Sequence, residues 1–554
     1  MAKEKKKSKK TRSDEEQLLR NSEIRNGEFV RYYGKKNEIV IPDTVSIIAE
    51  DAFRGNKYLT RVDFGKNVSV IRKDAFRGCT SLQVVTLPTG LREIGDRAFS
   101  NCESLCAISL PTTVVKLGEG AFRGCASLKK INLSTNVEML GAYAFCDCIA
   151  MEEVSLPENL TSIKRSTFFN CRSLKSLEIP NSVKVVEKYA FAQCASLEQL
   201  EMPKELGYLG IGVVTGCVSL RNFEVPNGIR FIGDYFFMGC TALEQVTLPE
   251  KITMIGRNAF CGCERLTEIA FSSSLEYIGS SAFLGCRSIE AICIPEQVKW
   301  IGKMAFSSCD KLSRVEFLAE ELDVLPEEAF SNCISLTDIL LPDSIFEIGE
   351  KAFYRCVSLE TVHIPRMLVR LEDHAFAGCA ALRSVSLPIL IRTLGEHAFE
   401  GCTSLSTVLF PDHKVRGGEG IFLGCEALSV LVVSDAVRRL RRRCEVWRVG
   451  KQTNVVLHSE LKLSLLFSEF AKEDTTAERK QALRAEIRRR IKRLKKRNHL
   501  HSSAGIREDI NSAVQAIDEQ LNPVEGEVGA EPALQRSESD EQRKDGILEN
   551  GESL

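Results

Sequence analysis

Residues 76–98 read FRGCTSLQVVTLPTGLREIGDRA, and at Phe99 the same pattern begins again. Phe53, Phe76, Phe99, Phe122, Phe145, Phe168 and Phe191 stand 23 residues apart. Val214 fills the next slot, and Phe237, Phe260, Phe283 and Phe306 resume the series. One extra residue then shifts it to Phe330, Phe353, Phe376, Phe399 and Phe422. Seventeen consecutive slots with one slip define the repeat F-x-G-C-x-S-L-x-x-V-x-L-P-x-x-V-x-x-I-G-x-x-A. A period in the 20–29 range marks one supersecondary unit that cannot bury its own apolar face, so neighbours stack into a solenoid.

Every apolar position of the unit has an address. Val85 and Leu87 alternate with Thr86, which predicts a half-buried strand with Thr86 pointing out. Pro88 lacks an amide proton and ends that strand. Leu91 and Ile94, three apart, predict a short 3₁₀ or bent segment on the return side. Gly95 is read as a positive-φ turn, and Ala98 leaves room beside Phe99.

The L-x-x-V-x-L-P strand, the I-G turn and the A-F-x-G-C segment resemble the leucine-rich repeat family in its 23-residue BspA-type form, over roughly residues 24–434. The resemblance implies an α/β solenoid, a curved right-handed superhelix with a long parallel sheet on one face. At ~4.8 Å per strand, seventeen coils would extend about 80 Å along the sheet. The expected organisation is a basic tail at 1–23, a capping unit at 24–52, the solenoid at 53–434, a C-terminal cap with helices at 435–521, and an acidic tail at 522–554. The resemblance also implies a surface-adhesin role. The start of the chain disfavours that role, because MAKEKKKSKKTR leads into polar residues with no apolar stretch of a secretory signal.

Of the 21 cysteines, sixteen follow the periodic slot by three residues, from Cys79 and Cys102 through Cys263 to Cys425. A fixed slot beside a turn predicts a ladder of small, buried, reduced thiols rather than disulfides. Together with Phe76, Phe99 and Phe260, Cys79, Cys102 and Cys263 represent this structural ladder. Thiols in such number fit a reducing compartment. The expectation is a cytoplasmic protein, or a nuclear one if the source is eukaryotic and KEKKKSKK serves as an import signal. The pairs Cys146/Cys148 and Cys261/Cys263 are metal candidates by composition, but one sulfur of each belongs to the ladder and the other is expected to face out. His374 and His397 share a slot one coil apart. No third ligand is evident, and pairing with Asp373 and Glu396 is the expectation. No metal and no cofactor are expected.

Unit eight carries Val213-Val214 where Ala-Phe is the rule, and the next unit carries Phe236-Phe237. The extra ring is read as volume compensation between neighbouring coils.

The outward strand position of successive units is acidic in the middle of the chain, at Glu178, Glu201 and Glu224, with Glu153 nearby on the preceding coil. Like charges on adjacent strands repel, so either solvent screens them or a basic segment docks there. Farther on, LHSELKLSLLFSEFA at 457–471 is expected to form a capping helix. Residues 479–497 hold eleven Lys/Arg against Glu486, with Arg488, Arg489, Arg490, Lys492 and Arg493 as the densest run. Leu483, Ile487, Ile491 and Leu494 give this segment an apolar helical stripe, which is followed by a second stripe from Ile506 to Leu521.

With a net charge of −1, no global field selects a partner. No catalytic motif stands in a fitting context, and nearly every repeated residue already has a packing role. The expected function is a non-enzymatic protein–protein interaction scaffold that binds a protein partner on the sheet face through Glu153, Glu178, Glu201 and Glu224. The alternative is tethering to nucleic acid or an anionic membrane surface through residues 479–497.

Overall fold

One unit closes into one coil with two short strands. In the unit of Phe76 these are Val84–Thr86 and Glu93–Ile94. Each pairs in parallel with its equivalent 23 residues away: Val84, Val85 and Thr86 lie beside Arg61, Val62 and Asp63. Glu93–Ile94 lies between Val70–Ile71 and Lys116–Leu117. The third side holds no strand, yet it has its own ladder. The Phe76 N–H donates to the Ala98 carbonyl at 2.7 Å, and the Gly78 N–H to that of Ser100 at 2.7 Å. Peptide groups on all three sides are therefore satisfied by the next coil.

The computed structural model describes residues 16–435 and 440–458, with residues 479, 482, 483, 486 and 489. The chain divides into two units, residues 1–458 and 459–554; in the second, each of the five described positions is helical. The first unit is a β-solenoid of parallel ladders with little helix. This corrects the α/β reading. Where a short 3₁₀ or bent segment is expected, Glu93–Ile94 instead joins a second parallel ladder, and two residues per strand are too few to show alternation in sequence.

The periodic rings form one column along the core. Phe53 and Phe76 stack at 4.6 Å, Phe76 and Phe99 at 5.2 Å, and Phe260 and Phe283 at 4.9 Å, with interplanar angles of 8° or less. Beside it runs the thiol column. The Cys102 Sγ–H donates to the Phe76 carbonyl at 3.2 Å, which also accepts the Cys79 N–H at 3.1 Å. Each ladder thiol thus gives a second hydrogen bond to a buried carbonyl of the preceding coil. Phe76, Cys79, Phe99, Cys102, Phe260 and Cys263 are all fully buried. All 21 cysteines are free. Burial pushes the Cys79, Cys125 and Cys194 thiols up to about 12, so they stay protonated. Cys146 is buried too, against the expectation that it faces out; its thiol donates to Asp147 at 3.3 Å.

Gly95 has a different reason from the one its sequence suggested. The positive φ falls two residues on, at Arg97 (53°), and again at Gly78 (73°). Gly95 is required by close approach: a Cβ there would lie 2.8 Å from the Lys73 nitrogen and 2.9 Å from the Arg72 carbonyl carbon. In unit eight the ring missing at Val214 is offset by two extra buried rings. Phe223 and Phe236 meet Phe237 edge-on at 5.2 and 4.6 Å.

The two ends close differently. At the N-terminal end Ser22–Arg25 pairs antiparallel with Glu28–Tyr32, and Phe29 stacks on Phe53 at 4.8 Å. At the other end the helix Leu440–Trp447 and the strand Asn454–Leu457 replace the next coil. The Phe422 N–H donates to the Trp447 carbonyl at 2.9 Å, the Trp447 indole stacks on Phe410 at 5.3 Å, and Asn454–Leu457 extends the ladder of Val430–Val433. Leu457 is therefore in a strand, not at the start of a capping helix, and residues 459–471 lie outside the described residues.

Candidate partner-binding site

Because equivalent side chains stack at every coil, a charge meets whatever stands 23 residues away. Several acidic side chains are neutralised in this way. Glu93 meets Lys116 at 2.7 Å, Glu187 meets Lys164 at 3.2 Å, and Glu360 meets Arg383 at 2.7 Å. Asp74, almost fully buried, receives two hydrogen bonds of 2.9 Å from the Arg97 guanidinium, which hold its carboxyl below the usual range.

Glu178, Glu201 and Glu224 differ in standing as like charges on successive coils. Glu178 and Glu201 are register partners on Ser176–Glu178 and Gln199–Glu201, and Glu224 holds the same place on Asn222–Glu224. All three are exposed, and among the described residues none has a cation within ion-pair distance. Glu153 belongs to a different column: it stands in register with Lys130 and pairs with it at 2.8 Å. Of the basic run, Arg489 meets Glu486 at 3.3 Å, while Arg488, Arg490, Lys492 and Arg493 lie outside the described residues.

The structure adds a second column that sequence reading missed. On the short-strand ladder the outward position reads Tyr208, Phe231, Met254, Tyr277 and Trp300 on five consecutive coils. Four of them are register partners in turn, Phe231 with Met254, Met254 with Tyr277, and Tyr277 with Trp300. All five are 40–56% exposed. On other coils the same position holds charges in places, as in the Glu93–Lys116 and Glu347–Arg370 ion pairs, and smaller residues in others, as at Val70, Ser162 and Val185. The spacing of 23 made this column legible, but the ladder that displays it was not recognised as a strand.

His374 and His397 do stack one coil apart, with ring centroids 5.0 Å apart. Their carboxylate neighbour is neither Asp373 nor Glu396. It is Glu400, whose Oε2 lies 3.1 Å from Nδ1 of His397 and 3.8 Å from Nε2 of His374. Asp373 Oδ1 instead accepts the Glu396 N–H at 2.7 Å.

No curated protein matches the chain. Among solved structures it is similar to a leucine-rich repeat protein from Bacteroides ovatus, at 26% identity over 78% of this chain and 94% of that one, with a TM-score of 0.42. It is also similar to a leucine rich cell surface protein from Faecalibacterium prausnitzii, at 21% identity over 76% and 94%, with a TM-score of 0.31. The pneumococcal vaccine antigen PcpA matches at 19% identity over 62% and 86%, with a TM-score of 0.40. The family model for the BspA type leucine rich repeat region matches residues 22–150, 115–244, 230–357 and 323–444. With its phenylalanine column, its thiol ladder and a family match that runs nearly the length of the solenoid, the chain belongs to the BspA-type leucine-rich repeat family.

Proposed function

We propose that this protein is a non-enzymatic scaffold that recognises a protein partner on the surface of its solenoid. Leucine-rich repeat proteins generally mediate protein interactions or adhesion, and the repeat positions here are consumed by packing. The observation that carries the reading is the exposed column Tyr208, Phe231, Met254, Tyr277 and Trp300. Five large apolar side chains in line, about 19 Å long at the strand spacing, form a contiguous patch instead of scattered surface residues. Tyr, Trp, Phe and Met are enriched in interface cores, and Tyr and Trp bury much area at low cost in conformational entropy.

A second reading rests on the other sheet. The unneutralised Glu178, Glu201 and Glu224 suit a basic segment, whose exposed ion pairs would contribute only ~0–1 kcal/mol each and weaken with salt.

The two readings separate by substitution. Affinity capture from the native cell is compared for the wild type, Tyr277→Ser/Trp300→Ser, and Glu178→Gln/Glu201→Gln/Glu224→Gln, each checked for an unchanged melting curve. Specific partners retained by the wild type and lost with the first variant support the aromatic face. Loss with the second variant, only at low salt, supports the acidic one. Identical capture by all three proteins refutes both.

A further inference from the structure

His374, His397 and Glu400 bring two imidazoles and a carboxylate together where two coils meet. We infer that they form a binding site for a divalent transition-metal ion of the zinc type. Their donor atoms all lie within 4.8 Å of one another. Glu400 Oε2 is 3.1 Å from His397 Nδ1 and 3.8 Å from His374 Nε2.

The backbone sets up this meeting. His374 and His397 both occupy the left-handed slot two residues before the core phenylalanine, each with φ of 56°. Side chains in this slot lie along the stack over the next coil. The His397 ring covers Gly420, where a Cβ would come within 2.6 Å of it, and Tyr189 covers Gly212 in the same manner. Successive histidines in the slot therefore stack. Glu400 reaches them because the tight turn through Ala398 and Phe399 sends residues 397 and 400 to the same outer edge, while Phe399 points into the core.

Two features favour a ligand over a plain ion pair. Nδ1 of His374 and Nδ1 of His397 are both buried and have no hydrogen-bond partner, although Glu400 Oε2 is near. A buried polar atom left unpaired is costly, and a metal bond at His397 Nδ1 removes that cost for one of them. All three side chains are also about a third exposed, so an ion can enter and solvent can complete its shell.

The donor set suits the ion. Two histidines and one carboxylate with an open position are a recurrent zinc arrangement, with Zn–N and Zn–O bonds of about 2.0–2.2 Å. Tetrahedral bonds of that length place donors roughly 3.4 Å apart, against 3.1 and 3.8 Å for the two pairs involving Glu400. The rings must tilt out of their stack to aim their lone pairs at a common point. His374 belongs to one coil while His397 and Glu400 belong to the next, so the ion would clamp adjacent coils close to the C-terminal cap.

The test uses the full-length, reduced protein with Zn²⁺ alone, then Co²⁺ as a spectroscopic reporter. Calorimetry is run on the wild type, His374→Ala, His397→Ala and Glu400→Gln, all in a Cys106→Ser/Cys293→Ser background that removes the two exposed thiols. Melting curves without metal confirm that each variant folds. The expected result is one ion per chain, a higher melting temperature with Zn²⁺, loss of the site in either histidine variant, and at least about tenfold weaker binding in Glu400→Gln. Bound Co²⁺ should show no thiolate charge-transfer band. Absence of a 1:1 site in the wild type overturns the inference. So does a site that survives both histidine substitutions.

Discussion

Phe283→Ala removes one ring from the middle of the aromatic column and tests whether the core is quasi-one-dimensional. Phe283 is fully buried, stacked on Phe260 at 4.9 Å and Phe306 at 5.4 Å, and met edge-on by Phe271 at 5.5 Å. Losing about 120 Å² of buried apolar surface costs roughly 3 kcal/mol at ~25 cal/mol per Å². The cavity left between two rings that cannot close up adds on the order of 1 kcal/mol. The sum, about 4 kcal/mol, corresponds to an opening equilibrium about a thousandfold more favourable in the affected coils. Hydrogen exchange read by mass spectrometry locates the effect. The Phe260 N–H, bonded to Ala282, and the Phe283 N–H, bonded to Ala305, should lose protection. The Phe99 N–H, bonded to Ala121, should keep its protection, because each coil contacts only its neighbours. An even rise in exchange from coil to coil, or a loss below about 1 kcal/mol at Phe283, would refute the reasoning.

Three further outcomes are expected. Thiol labelling of the native protein should be fast at Cys106 and Cys293, partial at Cys261 and Cys444, and absent from Cys79 through Cys425 in the ladder, where burial keeps the thiols protonated; rapid labelling of the whole ladder without denaturant contradicts the packing described. Gly302→Ala should cost about 1–3 kcal/mol in melting experiments, because its Cβ would meet the Ser280 nitrogen at 2.3 Å and the Gly279 carbonyl carbon at 2.6 Å; a neutral substitution would show that the coils can spread freely. Asp74→Asn should cost about 1–2 kcal/mol near pH 7, discounted for the partial exposure of Arg97. Since the Asp74 carboxyl is held below its ordinary value, its contribution is full above about pH 4 and fades as pH falls through the lower folded value. Equal acid profiles for wild type and variant would remove Asp74 from the account.

The period of 23 carried most of the fold, because Phe76 and Cys79 occupy slots whose neighbours along the column are identical residues. What escaped was set by backbone geometry that a residue string does not display. Glu93–Ile94 and its equivalents are too short to show alternation, so in sequence the ladder bearing Tyr208 through Trp300 looks like a bend and its outward column has no visible face. Gly95 looks like a turn residue in sequence because glycine serves both positive φ and close approach, and only the distance to the preceding coil separates the two roles. Glu400 was missed for a related reason. It is three residues from His397 along the chain but lies on the same outer edge only because the turn between them is tight. The acidic column was legible as a pattern. Its lack of counter-ions was not, since that depends on which residues stand 23 positions away and how far their side chains reach.

The hairpin at the N-terminal end has a consequence for how copies of this chain meet. A stack of coils is open-ended by construction, and its last coil could accept the first coil of another molecule to grow a fibre. Docking of that kind must satisfy every ladder at once. Among the described residues, the long-strand ladder ends at Glu38–Val40 with an open parallel edge. On the short-strand side, Ser22–Arg25 runs antiparallel to Glu28–Tyr32, so the outermost described strand points the wrong way for an incoming coil. A second molecule can match one edge but not the other. One reversed strand of four residues thus acts as a stop on polymerisation at that end, placed where the repeat alone would have left none.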